Sequence, residues 1–140
     1  MSEPTWLSLE LIEAIHERQI AEHGGGSGIR DRGMLESALA RPQQLYAYGG
    51  QDVDLVAMAA SYAFGLSRNH PFVDGNKRTA AVACELFLEL NGYQLVAEDG
   101  DLYPVFLGLA AGELSEEALR DWLSRHARPH QVSETGGRYA

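Results

Sequence analysis

The 140-residue sequence has one cysteine, Cys84, and no long apolar run. A single cysteine excludes an intrachain disulfide and suits a reducing compartment. Ser67, Arg68, Glu85 and Glu89 interrupt the longest apolar stretches, so we expect no transmembrane span and no membrane partner. The N-terminus also lacks a charged segment followed by an apolar run and a cleavage site. Together these absences predict a cytoplasmic protein.

Basic residues are scarce as well. Eleven lysines and arginines stand against 20 aspartates and glutamates, which gives a formal net charge of −9 at pH 7. Sequence-independent binding to DNA or RNA depends on cations that neutralise phosphates, so we expect no direct nucleic-acid binding. Apolar residues make up 45% of the chain, which excludes a mainly disordered protein. The length suits one domain with one core.

Apolar residues recur with helical spacing in the first part of the chain. The pattern predicts a first helix from about Ser8 to Glu22, which the following glycine run ends. Asp31 is expected to cap a short second helix that Pro42 closes. A brief third piece is expected at about 43–48.

Two later segments, 52–69 and 77–91, are apolar nearly all round. A helix that is apolar on every face is a buried one, so these two form the expected central pair.

The rest of the chain predicts smaller elements. We expect a short extended piece at 93–96, a helix over about 101–111 and a last helix that Ser115 opens. The fold class expected is all-α, a single-domain bundle of about six or seven helices. The domain would cover residues 1–128, with a flexible tail at 129–140.

The connection between the two central helices, residues 70–79, reads HPFVDGNKRT. Gly75 and Asn76 form a turn signal, so the next helix is expected to begin near Asn76. The first N–H groups of a helix lack intrahelical partners and carry the positive end of its dipole, so anions bind there. Gly75 lets the backbone approach a phosphate closely, and Lys77 and Arg78 add a point charge and a planar fork. Since cations oppose the dipole at this end, their presence indicates that an anion joins them.

His70 and Asp74 add the remaining chemistry of this loop. A histidine titrates near neutral pH, which suits His70 to accept a proton from an attacking hydroxyl as the general base. Mg²⁺ that arrives with a nucleotide usually takes one or two protein carboxylates, and Asp74 is the nearest one. A transition-metal pair of His70 and Asp74 would lack a third ligand nearby. We therefore expect ATP and Mg²⁺ at this loop. The residues expected to hold the phosphates are Gly75, Asn76, Lys77 and Arg78.

Several residues have structural explanations too. Asn76 alone can cap a helix, and Phe72 is expected to anchor the loop by packing. Arg30, Asp31 and Arg32 are most simply a helix cap with solvated cations, and a substrate or nucleotide role stays open for them. Four histidines have no accompanying pattern and receive no role: His16, His23, His126 and His130.

Residues 70–80, HPFVDGNKRTA, resemble the Fic/Doc family, whose motif runs His-Pro-Phe-x-(Asp/Glu)-Gly-Asn-(Gly/Lys)-Arg. Residues 28–42 also resemble the matching segment of its Doc (death-on-curing) branch, and the likeness extends over roughly 6–126. Fic adenylyltransferases typically have Gly where this chain has Lys77. They also have a second Arg, expected to hold the terminal phosphates of ATP, where this chain has Ala81.

What the resemblance implies is a Doc-like toxin that transfers the γ-phosphoryl group of ATP to a threonine of elongation factor Tu and so arrests translation. Adenylylation by the same residues is one alternative, and a non-catalytic toxin–antitoxin binding or corepressor role is another. The resemblance also implies a cognate antitoxin whose C-terminal segment lies across the active-site groove. Fic proteins that inhibit themselves carry (Ser/Thr)-x-x-x-Glu-(Gly/Asn), which this sequence lacks. Inhibition is therefore expected from another chain.

Overall fold

The computed structural model describes residues 3–96, 105, 108 and 112–130. This part of the chain is mostly helical with one small sheet, which confirms the all-α prediction. None of the described helices is long and apolar enough to cross a membrane. The elements with defined bounds are α1 (Leu9–His23), α2 (Arg32–Tyr48), α3 (Leu55–Asn69), α4 (Asn76–Leu90), β1 (Tyr93–Leu95), α5 (Glu116–His126) and β2 (Ala127–Pro129).

Side-chain caps begin four of these helices, as their sequences encode. In each case a side-chain oxygen accepts a hydrogen bond from the N–H three residues later, which satisfies one unpaired donor of the first turn. The predicted caps Ser8, Asp31 and Ser115 are confirmed. Asp54 caps α3, so this helix begins three residues later than expected.

The prediction that Pro42 ends a helix is wrong, because α2 continues through it to Tyr48. A proline inside a helix lacks one hydrogen bond and crowds the carbonyl four residues earlier, here that of Ala38. Ala38 is buried against α3, where a Cβ on Gly65 would lie 3.3 Å from the Ala38 Cα. This close packing of two buried helix faces offsets the local cost of Pro42. The two pieces expected at 31–48 are therefore one helix.

Helix α3 lies at the centre and packs against α2, α4 and α5. All residues from 57 to 63 are buried, which confirms its all-round apolar prediction. The same prediction holds for the middle of α4, where residues 79–88 are all buried or half-buried, whereas Lys77, Arg78 and Glu89 near its ends are exposed. Charged groups at its two ends stay in water because unpaired burial costs free energy. The cations of the loop are therefore open to a ligand.

Strands β1 and β2 pair antiparallel, with Gln94 opposite Arg128. The extended piece near 93–96 is confirmed, but its partner was not anticipated. His130 N–H also donates to the Gly92 carbonyl at 2.8 Å, so the chain is still hydrogen-bonded at the start of the expected tail. Residues 131–140 lie outside the described residues, as does the helix expected over 101–111 apart from the helical residues 105 and 108.

Candidate active site

His70 directly follows the last residue of α3 and is its C-cap. Its backbone is left-handed, with φ +48° and ψ +55°, and its side chain is exposed. Among the described residues it is the only non-glycine with a positive φ. Such a conformation costs about 1–3 kcal/mol and persists only where the surrounding structure holds it. The contacts around His70 therefore matter for its position.

A segment distant in the sequence, residues 28–31, runs beside the loop and pairs with it in an antiparallel bridge. Arg30 N–H donates to the Pro71 carbonyl at 2.7 Å, and Val73 N–H donates to the Gly28 carbonyl at 3.1 Å. The loop is thus fixed along its first half by a backbone ladder. Nothing in its own ten residues indicates this partner.

Arg30, Asp31 and Arg32, whose role the sequence left open, have different surroundings in the structure. Asp31 caps α2, and Arg32 is exposed at the start of that helix, as the simpler interpretation has it. Arg30 differs, because its guanidinium turns to the end of α3. Its Nε donates to the His70 carbonyl at 2.7 Å and its Nη2 to the Asn69 carbonyl at 2.9 Å.

Asn76 closes the turn of the loop. Its Oδ1 accepts from the Phe72 N–H and its Nδ2 donates to the Phe72 carbonyl, both at 3.0 Å and both buried. The N-cap interpretation of Asn76 is wrong, because Gly75 occupies that position and Asn76 is the first helical residue. Because the side-chain amide of Asn76 is hydrogen-bonded to Phe72, the group that Asn76 can offer an anion is its backbone N–H.

His16, which received no role from the sequence, lies under the same turn. It is 2% exposed, and its ring stacks on Phe72 with centroids 3.8 Å apart and planes 7° apart. Its Nε2 lies 2.7 Å from the Asp74 carbonyl oxygen. A signal was present: His16 follows Ile15 and lies one turn after Ile12 on the apolar stripe of α1, and a buried polar side chain needs a partner. Phe72 is 1% exposed, which confirms it as a packing anchor.

The carboxylate of Asp74 lies against the glycine run that follows α1. Its Oδ2 accepts from the Gly26 N–H at 2.7 Å. A Cβ on Gly26 would lie 2.8 Å from Cγ1 of Val73, and one on Gly25 would lie 3.2 Å from Cβ of Asp74. The run therefore does more than end α1, because only glycine permits this approach to the loop.

The structure brings all six predicted site residues to one cavity of about 280 Å³. Its lining residues are His70, Val73, Asp74, Gly75, Asn76, Lys77 and Arg78. The first α4 turn faces it, and the intrahelical bonds of that turn begin only with Thr79 N–H to the Gly75 carbonyl at 3.0 Å. A larger cavity of about 730 Å³ lies between α2, α3 and α5, but its lining is rich in carboxylates and would repel phosphates.

The donor set of the smaller cavity fits a nucleotide with Mg²⁺. Helix N–H groups and two cations suit phosphate oxygens, and a carboxylate oxygen of Asp74 is the kind of ligand that Mg²⁺ prefers. In the described part of the chain no three histidine, cysteine or acidic side chains group into a metal site. Asp74 is the one carboxylate among the residues that line this cavity.

Comparison with known proteins leads to the family that the loop motif suggests. A model described as the Fic/DOC family matches residues 6–88. The chain is 37% identical to "Protein kinase doc" of Escherichia phage P1 over 119 residues, which cover 85% of this chain and 93% of that protein. It is 47% identical to "Toxin Doc" of Mycolicibacterium smegmatis over 76 residues, which cover 54% of this chain and 58% of that one. The chain belongs to the Fic/Doc family, in its Doc toxin branch.

Proposed function

We propose that this chain is the toxin of a toxin–antitoxin pair and transfers the γ-phosphoryl group of ATP to a hydroxyl of a translation protein. The expected acceptor is a threonine of elongation factor Tu. The observation that supports this most is the convergence of His70, Asp74 and the first turn of α4 on one cavity. Positioning and electrostatics carry most of the acceleration in phosphoryl transfer, and this cavity offers donors and charges for both.

Each group has a distinct task. The first N–H groups of α4 and the side chains of Lys77 and Arg78 bind phosphate oxygens. Asp74 would hold Mg²⁺, which when bound would neutralise charge on those oxygens. His70 takes the proton of the acceptor hydroxyl as its oxygen bonds to the γ-phosphorus. The bond from that phosphorus to the bridging oxygen breaks, and ADP leaves.

Adenylylation is the runner-up reaction for the same residues. It would attack the α-phosphorus and release pyrophosphate. Position 81 disfavours it, because Ala81 offers only a methyl group where Fic adenylyltransferases carry an arginine for the terminal phosphates. The two reactions differ in the mass they add, about 80 Da for a phosphoryl group and about 329 Da for an adenylyl group.

Intact-mass spectrometry of elongation factor Tu, incubated with this protein, ATP and Mg²⁺, tests the proposal. We expect one phosphoryl mass with the wild type and none with His70→Ala. His70→Asn is the matched variant, since asparagine tolerates the left-handed backbone while lacking the base. A near-wild-type rate in both variants would contradict the role of His70. An adenylyl mass would move the protein to the runner-up reaction.

Lys77 offers a separate test of the phosphate site. Removal of one charged hydrogen bond costs about 1.5–3 kcal/mol, so Lys77→Ala should weaken ATP binding at least about tenfold. Isothermal titration calorimetry measures this without a protein substrate. Unchanged affinity would show that the nucleotide phosphates lie elsewhere.

The partner proposed for this chain is a cognate antitoxin whose C-terminal segment covers the groove. Bacteria that express the chain alone should stop growing, and co-expression of the antitoxin or the change His70→Ala should restore growth. Growth arrest that persists with His70→Ala would instead favour the non-catalytic binding or corepressor role. Equal growth in every case would argue against toxicity.

A further inference from the structure

We propose that Arg30 is a positioning residue for His70, and that it acts by holding the backbone on which the imidazole is mounted. The proposal rests on the proposed function, in which His70 is the general base. Arg30 is distant from His70 in sequence, and its bonds to the carbonyls of Asn69 and His70 are the observation that carries it.

Arg30 binds three successive carbonyls around the base. Its own N–H donates to Pro71 at 2.7 Å, its Nε to His70 at 2.7 Å and its Nη2 to Asn69 at 2.9 Å. The last carbonyls of a helix have no intrahelical donor, and they carry the negative end of the dipole. A guanidinium supplies a positive charge and two donors in a fixed fork, so both requirements at the end of α3 are met by one side chain.

The backbone at His70 needs this support. Its φ of +48° is unfavourable for a residue with a Cβ. Pro71 follows, and a proline disfavours helical backbone at the residue before it. Local sequence therefore opposes the observed conformation, and the carbonyl bonds of Arg30 are tertiary contacts that oppose its relaxation. A change of φ or ψ at His70 would swing the imidazole away from the cavity.

A direct role in nucleotide binding is less consistent with the geometry. Two donors of the guanidinium already face carbonyls, and Arg30 does not line the cavity that His70, Lys77 and Arg78 share. The side chain is exposed, so its removal takes no contact from the core.

Steady-state kinetics with Arg30→Ala and Arg30→Lys tests the proposal, with Arg32→Ala as the matched control. Arg32 is a neighbouring exposed arginine whose one described ion pair, to Glu36, is long at 3.9 Å. Misplacement of a catalytic group by about 1 Å costs about 100-fold, so we expect kcat to fall about 10- to 100-fold in Arg30→Ala. KM for ATP should stay within about twofold, because the phosphate site is untouched. Arg30→Lys should be intermediate, since an ammonium keeps the charge but not the fork.

NMR of histidine-labelled protein gives a readout that does not depend on activity. The amide and imidazole signals of His70, assigned with His70→Asn, should move or broaden in Arg30→Ala and stay unchanged in Arg32→Ala. If the wild type modifies no substrate, the proposed function fails while these signals still decide whether Arg30 sets the conformation of His70.

Three results would overturn the proposal. A higher KM for ATP with unchanged kcat would make Arg30 a nucleotide contact. Unchanged His70 signals would show that its backbone does not depend on Arg30, whatever the rate. Altered signals with unchanged kcat would show that the reaction does not depend on this positioning. Thermal unfolding of each variant confirms that the comparison is between folded proteins.

Discussion

His16 Nε2 lies 2.7 Å from the carbonyl oxygen of Asp74, across 58 residues of sequence. The nitrogen that faces a carbonyl must carry the hydrogen, so Nε2 is the donor. The same ring stacks on Phe72 at a centroid distance of 3.8 Å. One buried side chain of α1 therefore supports both Phe72 and Asp74, and through them the turn that carries the proposed magnesium ligand.

Replacement of His16 separates the two contacts. His16→Phe keeps a ring against Phe72 but leaves the Asp74 carbonyl without its donor, so we expect a loss of about 1–3 kcal/mol in the free energy of unfolding. His16→Ala also leaves a cavity and should cost more, about 3–5 kcal/mol. Urea denaturation measures both. Wild-type stability in His16→Phe would show that this hydrogen bond contributes nothing.

Asn76 offers a test of the closed turn. Asn76→Asp keeps an oxygen for the Phe72 N–H but places a second oxygen against the Phe72 carbonyl. We expect the free energy of unfolding to fall by about 1–3 kcal/mol, because the buried Phe72 carbonyl oxygen loses its donor and faces a carboxylate oxygen instead. Asn69→Asp is the control, since this amide donates to the Met34 carbonyl at a more exposed position. Chemical denaturation should show a smaller loss in the free energy of unfolding for Asn69→Asp than for Asn76→Asp. An equal loss in the two variants would contradict the importance of burial at Asn76.

Gly75 is tested best beside Gly50. Their φ values are +77° and +83°, so alanine at either position should cost about 1–2 kcal/mol. A Cβ at Gly75 would also lie 3.2 Å from Cδ1 of Ile20, whereas nothing lies within 4 Å of one at Gly50. The backbone adjustment that an alanine at position 75 requires moves the first N–H groups of α4. We therefore expect Gly75→Ala, and not Gly50→Ala, to weaken ATP binding as measured by calorimetry. Equal ATP affinity in the two variants would argue against backbone binding of phosphate.

The raised pKa of Glu85 allows a prediction of how the free energy of unfolding depends on pH. Burial, with a smaller contribution from the charge of Glu89, raises its pKa above the ordinary 4.5. The folded state then binds this proton more tightly than the unfolded chain does. The free energy of unfolding therefore falls as pH rises from 4.5 through the raised folded pKa. Glu85→Gln should remove this fall and be the more stable protein near about pH 7, with the difference vanishing toward acid.

Denaturation of Glu85→Gln and wild type over a pH series measures this difference. Glu17→Gln is the control, since Glu17 is exposed on α1. A pH profile for Glu85→Gln that runs parallel to the wild type would contradict the prediction.

Features that depend on neighbouring residues were predictable. The caps Ser8, Asp31 and Ser115 follow from a side-chain oxygen that reaches an N–H three residues on. The burial of α3 follows from its apolar residues on all sides. The loop at 70–79 could be found because its base, carboxylate, glycine and cations are close together in the sequence.

Features that depend on residues distant in the sequence were not predictable. Pro42 stays inside α2 because two helices pack closely at Ala38 and Gly65, and a helical pattern does not show what its face will meet. Strand β2 forms because an antiparallel partner lies 30 or more residues earlier, at Tyr93–Leu95.

The groups that meet at the site follow from local sequence, because the loop carries them within one stretch and α4 begins where Gly75 allows it. How those groups are held depends on tertiary contacts. His16 and Arg30 bind carbonyls, and a carbonyl is present on every residue, so no pattern of side chains indicates which one will be bound. That choice is made when helix α1 and the segment after it pack against the loop.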